Sequence, residues 1–104
     1  MLAIVLALGA TRAQAWSYNL EDFTITSHDV DSMSICMSGN YVVWADMMDM
    51  DLHGYDLSMR EEFIVYPNDV DSMSIFISGN YVVWKDMMDM DFHGARIYRI
   101  ISDD

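Results

Sequence analysis

The sequence predicts an all-β protein built from two tandem antiparallel four-stranded sheets. The first reason is an internal repeat, because residues 28–54 and 68–94 are identical at 22 of 27 positions at an offset of 40. The second reason is composition, because each unit places runs of β-branched and aromatic residues between turn-forming residues. A helical repeat of this length would instead be rich in Ala, Leu, Glu and Lys. Four short strands in a unit of this length are typical of a β-propeller blade.

The strands of one unit are clearest in the second copy. Residues 74–77 (SIFI) and 81–84 (YVVW) are two β-prone runs that flank a Gly-Asn dipeptide. Gly-Asn predicts a two-residue hairpin turn, because both residues tolerate a positive φ. Since YVVW does not alternate with polar residues, its strand is predicted to be buried on both faces. An acidic turn at residues 86–91 then leads into a third strand at residues 92–101.

The first copy continues into a fourth strand. The chain passes through residues 54–57 and a polar turn at residues 58–60, and then enters residues 62–66 (EFIVY), which end at Pro67. The unit therefore contains four short strands separated by turns, as a blade requires.

These boundaries give about two blades. We predict the tail strand of a preceding blade at residues 16–27, a whole blade at residues 28–67 and a second, incomplete blade at residues 68–104. Closed propellers have typically about four to eight blades. The propeller is therefore incomplete, and either several copies of the chain associate or the chain is a fragment of a longer propeller. Unpartnered blades would otherwise expose apolar sheet faces to water.

The N-terminal segment predicts secretion. Residues 1–10 form an apolar run of ten, which is too short to span a hydrocarbon core of about 30 Å. Ala13-Gln14-Ala15 follows and fits the small-x-small pattern of signal-peptidase cleavage. We therefore expect a signal peptide at residues 1–15 and a mature chain without a membrane span. The alternative is that the apolar run is a first core strand.

The charge of the chain excludes two classes of partner. The chain has 5 Lys and Arg residues and 17 Asp and Glu residues, which give a formal net charge of −12. Such a chain cannot neutralise a run of nucleic-acid phosphates or hold an anionic membrane through a polybasic patch. The one cysteine, Cys36, excludes an intrachain disulfide framework. Its alignment with Phe76 predicts an inert, buried side chain.

Two segments resemble a known propeller repeat. MSGNYVVWADMMDMD and ISGNYVVWKDMMDMD resemble the ISGNYVVW-x-D core of TolB-type β-propeller repeats, and GYDLSMREEFIV is similar to their outer-strand portion. The resemblance covers most of residues 16–104 and implies a bacterial periplasmic or archaeal cell-surface protein, without implying an activity. The chain departs from the family at its second turn, where Met and Asp replace an Asn/Arg/Gly-rich hairpin that is a residue or two longer. The register of the third strand therefore stays open.

The acidic turns are the first candidate site. Each reads D-M-M-D-M-D and places three carboxylates in six residues, and hard cations such as Ca²⁺ take several oxygen ligands. The candidate metal ligands are Asp46, Asp49, Asp51, Asp86, Asp89 and Asp91. The spacing differs from that of a D-x-D-x-D-G calcium loop, and no glycine is present to allow a tight turn. The alternative is a solvated acidic hairpin that binds no metal.

Other metals are candidates for the same turns. If the third strand begins early, Asp49, Asp51 and His53 alternate onto one face, as do their counterparts in the second copy. Carboxylate and imidazole together suit zinc, and the alternative is that these are ordinary polar residues on an exposed strand face.

The methionines of the turns suggest another metal. Six of the eleven methionines lie in the two turns, and thioethers bind copper(I), although methionine commonly fills core space. His28 aligns with Asn68 in a turn, where capping is the expected role.

Catalytic motifs are absent from the sequence, so we expect no enzyme. No G-x-S-x-G elbow and no Walker or Rossmann glycine pattern occurs. The predicted function is that of a non-catalytic, secreted scaffold that binds a protein partner or associates with itself. The alternative is a calcium-dependent structural module whose acidic turns bind the metal.

Overall fold

The computed structural model describes residues 17–100, which form seven β-strands and no helix. The first sheet has the order β1 (Cys36–Ser38), β2 (Tyr41–Ala45), β3 (Leu52–Asp56) and β4 (Glu61–Tyr66). The second has the order β5 (Val70–Ser78), β6 (Tyr81–Asp86) and β7 (Phe92–Arg96). All neighbouring strands are antiparallel, and neither sheet closes on itself. The all-β prediction is therefore confirmed. Among the described residues no helix is long and apolar enough to cross a membrane.

The Gly-Asn hairpins form where the sequence predicts them. Ser38 pairs with Tyr41 across the first turn, and the second copy repeats the pairing. Gly39 and Gly79 have φ of +56° and +58°, with no atom within 4 Å of the position of an added Cβ. The left-handed backbone, and not a lack of space, therefore selects glycine here.

The acidic turns close without glycine. The Asp46 amide donates to the Asp51 carbonyl at 3.2 Å, and the Met50 amide donates to the Asp46 carbonyl at 2.8 Å. The Asp46 carboxylate also accepts a hydrogen bond from the Met48 amide at 2.7 Å. Met50 supplies the left-handed residue with φ of +60°, and Met90 does so in the second copy with φ of +63°.

The register of the third strand follows from these turns. β3 begins at Leu52, Val43 pairs with Gly54, and the second copy has the same register between β6 and β7. Gly54 is required by a close approach, since an added Cβ would lie 2.6 Å from the ring of Phe63 on β4. A register shift between Leu52 and His53 accommodates the pairing with β4.

The two sheets pack face to face around one apolar cluster. On one face of the first sheet, Val43, Ala45 and Leu52 are fully buried against the second sheet. The second sheet contributes the buried residues Val70, Ile75, Val82 and Trp84. Cys36 joins this contact, because its Sγ donates to the Ile75 carbonyl at 3.2 Å.

The other face of the first sheet is also covered. Val42, Trp44 and Tyr55 are buried beneath Ile25 and Val30. The prediction of a strand buried on both faces is therefore confirmed for β2.

The same prediction is wrong for β6. Val82 and Trp84 face the first sheet and are buried, whereas Tyr81 and Val83 on the opposite face are 59% and 40% exposed. Within residues 17–100 no third sheet covers that face, so only one side of β6 finds an apolar neighbour.

Two predicted strands also differ from the structure. β7 ends at Arg96 instead of running to residue 101, because no fourth strand lies beside it in the described residues. Residues 17–29 form no strand, since no described strand pairs with them, and Phe23 lies against Tyr55 instead. The predicted signal peptide at residues 1–15 lies outside the described residues.

Candidate metal site and open sheet face

Each acidic turn gathers two aspartates and one histidine. In the first sheet the ligand atoms of Asp46, Asp49 and His53 all lie within 4.8 Å of one another. Asp46 follows β2 and is 1% exposed, while His53 on β3 is 4% exposed. The His53 ring stacks on Trp44 with a centroid separation of 5.9 Å. Strand pairing and aromatic stacking therefore fix the imidazole, and the turn brings Asp49 back over it.

The surroundings of the first cluster add two titratable groups. His53 Nδ1 is 3.0 Å from a carboxylate oxygen of Glu62 on β4. His28 Nδ1 is 3.2 Å from Asp46 Oδ2 on the opposite side. An open cleft of about 400 Å³ lies beside the cluster. It is lined by Ser27, His28, Asp29, Asp46, Met48 and Asp49.

The second cluster, Asp86, Asp89 and His93, differs in its neighbours. The Tyr66 hydroxyl donates to Asp86 Oδ2, which lowers the pKa of Asp86 and raises the pKa of Tyr66. Asn68 occupies the position that corresponds to His28. Asp46 Oδ2 in the first cluster therefore contacts His28, whereas the equivalent Asp86 Oδ2 in the second cluster accepts a hydrogen bond from the Tyr66 hydroxyl.

The structure places the predicted metal ligands in two different environments. Four of the six aspartates join a histidine, but Asp51 and Asp91 belong to neither cluster. Burial and the nearby charge of Asp49 raise the pKa of Asp51. His53 does not reach its partners by alternation along a strand, because β3 begins only at Leu52.

Sequence reasoning missed two residues beside this cluster. Glu62 contacts His53 only because β4 pairs with β3, and no local pattern of the sequence reports that pairing. The one signal for His28 was its difference from Asn68 in an otherwise repeated segment. The sequence predicts a turn cap at His28, whereas the structure places its ring against the Asp46 carboxylate.

The methionines of the turns do not fill the core. Five of the six have 48% to 80% of their surface exposed. These are Met47, Met48, Met87, Met88 and Met90. Cys36, which is predicted to be buried and inert, is only half-buried, and its partial burial raises the pKa of its thiol.

A second candidate site is the uncovered face of the second sheet, which we call the open face. Its exposed apolar residues are Phe76, Tyr81, Val83 and Phe92, with exposures of 40% to 61%. Lys85 and Arg96 share this face, since they pair with Phe92 and Tyr81 across the ladder. The corresponding residues of the first sheet, Cys36, Tyr41, Val43 and Leu52, lie on the face that packs against the second sheet.

Comparisons with protein-family models, with curated proteins and with solved structures gave no match to this chain.

Proposed function

We propose that this chain is a non-catalytic, secreted β-propeller segment of the TolB type that acts as a binding scaffold, and that its open face is the binding surface. The observation that carries the proposal is the repeat itself. The face of the first sheet that corresponds to the open face is buried against a neighbouring sheet. The open face keeps apolar residues at the same positions, with Phe76 for Cys36 and Phe92 for Leu52.

The apolar area exposed on the open face favours a binding role for this face over that of an ordinary solvated surface. Phe76, Tyr81 and Phe92 are each about 60% exposed on one sheet face. Contiguous apolar surface of this kind marks interaction sites in soluble proteins. The predicted signal peptide supports action in the periplasm or at the cell surface.

The occupant that we propose is a second copy of this chain, stacked head to tail. The other end of the stack is the segment that covers the first sheet, where Tyr18 and Leu20 are 80% and 90% exposed. Glu21 and Asp22 follow them in the sequence. An apolar surface with acidic neighbours fits the open face, which carries Lys85 and Arg96. Such a contact joins two different surfaces and can therefore build a ring.

A complementation experiment tests this geometry. Val83→Asp places a charge in the open face, and Leu20→Asp places one at the opposite end of the stack. Each variant alone is expected to sediment as a monomer, whereas the wild-type chain forms larger species. Each variant retains one intact surface, so a mixture of the two is expected to form dimers and nothing larger.

Ile64→Asp is the matched control, because Ile64 is 50% exposed on β4 outside the open face. It is expected to sediment like the wild-type chain. The head-to-tail stack would be contradicted if Val83→Asp sediments at the same mass as the wild-type chain, or if the mixture of the two variants stays monomeric.

A further inference from the structure

The cluster in the first sheet has the ligand types and the spacing of a transition-metal site. His53 Nε2 is 3.3 Å from Asp49 Oδ2 and 3.9 Å from Asp46 Oδ2. A tetrahedral Zn²⁺ ion with bonds of about 2.0–2.1 Å holds its ligand atoms about 3.3–3.4 Å apart. The contact between His53 and Asp49 therefore matches the separation that a bound ion would impose, and Asp46 lies about 0.5 Å farther from His53 than that separation.

The hydrogen bond on the far side of His53 indicates the same chemistry. Its Nδ1 lies 3.0 Å from Glu62 Oε2. This contact with Glu62 holds the ring so that Nε2 faces the carboxylates of Asp46 and Asp49, where Nε2 could bind a cation as a third ligand. Proteins commonly orient metal-binding histidines through a carboxylate in this way. This observation is independent of the number of acidic residues in the turn.

His28 supplies a fourth donor. Its Nδ1 is 3.2 Å from Asp46 Oδ2, and its side chain is 57% exposed at the cleft. It lies outside the set of atoms within 4.8 Å of one another. Its ring centroid lies 6.3 Å from that of His53, so the exposed His28 side chain must rotate to take a fourth ligand position. Two imidazoles and two carboxylates favour a divalent transition metal over Ca²⁺, which takes oxygen ligands.

We propose that Asp46, Asp49, His53 and His28 bind one divalent transition-metal ion, and that the second copy of the turn does not. The second copy has Asn68 in place of His28, and the Tyr66 hydroxyl already occupies Asp86. The inference does not rest on the proposed binding scaffold, because three of the four ligands lie in the first sheet and its acidic turn, while His28 lies in the segment that covers this sheet.

The test is a titration of the metal-free chain with Zn²⁺, followed by calorimetry. One ion is expected to bind per chain. Asp49→Asn and His28→Asn are each expected to weaken binding at least about tenfold. His28→Asn recreates the residue of the second copy. Both side chains are roughly half exposed, so the variants are expected to fold.

Asp51→Asn is the matched control, because it removes the same charge from the same turn outside the cluster. Its affinity for Zn²⁺ is expected to stay within about threefold of the wild-type value. The proposal is overturned if no saturable binding occurs, if His28→Asn binds as tightly as the wild-type chain, or if Asp51→Asn weakens binding as much as Asp49→Asn does. The last outcome would show only general attraction of cations to an acidic turn.

Discussion

At the scale of single residues, two glycines at equivalent positions have different surroundings. A Cβ at Gly54 would lie 2.6 Å from the Phe63 ring, whereas the nearest atom to a Cβ at Gly94 is 3.6 Å away. Gly54→Ala is therefore expected to lower the free energy of unfolding by about 1–2 kcal/mol, because Phe63 must leave its place over the strand. Gly94→Ala is expected to cost less than about 0.5 kcal/mol. Urea denaturation of both variants measures the difference, and equal losses would contradict it.

Asp56 provides a pH-dependent contribution at the same scale. Burial disfavours its charged form, but the hydrogen bonds from the Ser58 hydroxyl and from the amides of Ser58 and Met59 outweigh that effect and hold its pKa below the ordinary value. A lowered folded-state pKa contributes stability above the unfolded value of about 3.9, and this stability is lost as the pH falls through the folded pKa. Asp56→Asn is expected to cost about 1 kcal/mol at pH 7 and progressively less below about pH 4.

The measurement for Asp56 is the difference in unfolding free energy between wild type and variant across this pH range. This difference cancels the pH dependence that the other carboxylates contribute to the unfolding free energy of both proteins. Ser58→Ala removes one donor and is expected to reduce the same pH dependence. A cost for Asp56→Asn that is equal at pH 7 and pH 3 would attribute it to hydrogen-bond geometry and not to charge.

At the scale of elements, the acidic turns depend on a strained backbone position. Met90 has φ of +63° and is 54% exposed, so little packing holds its side chain. Glycine adopts this conformation without the cost of about 1–2 kcal/mol that other residues meet. Met90→Gly is therefore expected to be more stable than Met88→Gly by about 1 kcal/mol. Met88 is the control in the same turn, since it is exposed and has no positive φ. Equal melting temperatures would contradict the role of the backbone.

The elements also show how far the sequence reports the fold. Gly39 and the β2 strand carry local signals, so hairpin position and strand type could be predicted. The acidic turns could also be predicted, but the left-handed backbone at Met50 could not, because methionine gives no sign of a conformation that hydrogen bonds hold from both sides. The site residues divide in the same way. Asp46 and Asp49 belong to a visible motif, whereas Glu62 reaches His53 only through the pairing of β3 with β4.

At the scale of the whole molecule, we propose that another copy of the chain covers the open face. The repeat predicts two tandem sheets, but which of their faces stay uncovered depends on how many sheets the described residues supply. Both faces of β2 are buried, one by the second sheet and one by the preceding segment, whereas only the face of β6 toward the first sheet is buried. Phe76, Tyr81 and Phe92 are therefore exposed because no sheet among residues 17–100 covers them, and not because their strand pattern differs.

Hydroxyl-radical footprinting of the wild-type chain at increasing protein concentration tests this claim most directly, because it reports the exposure of individual side chains. Phe76, Tyr81 and Phe92 are expected to lose reactivity as the concentration rises. Met88, which is 79% exposed in the acidic turn, is expected to keep its reactivity and serves as the internal reference. Unchanged reactivity at the open face, or protection that appears only elsewhere, would contradict the account.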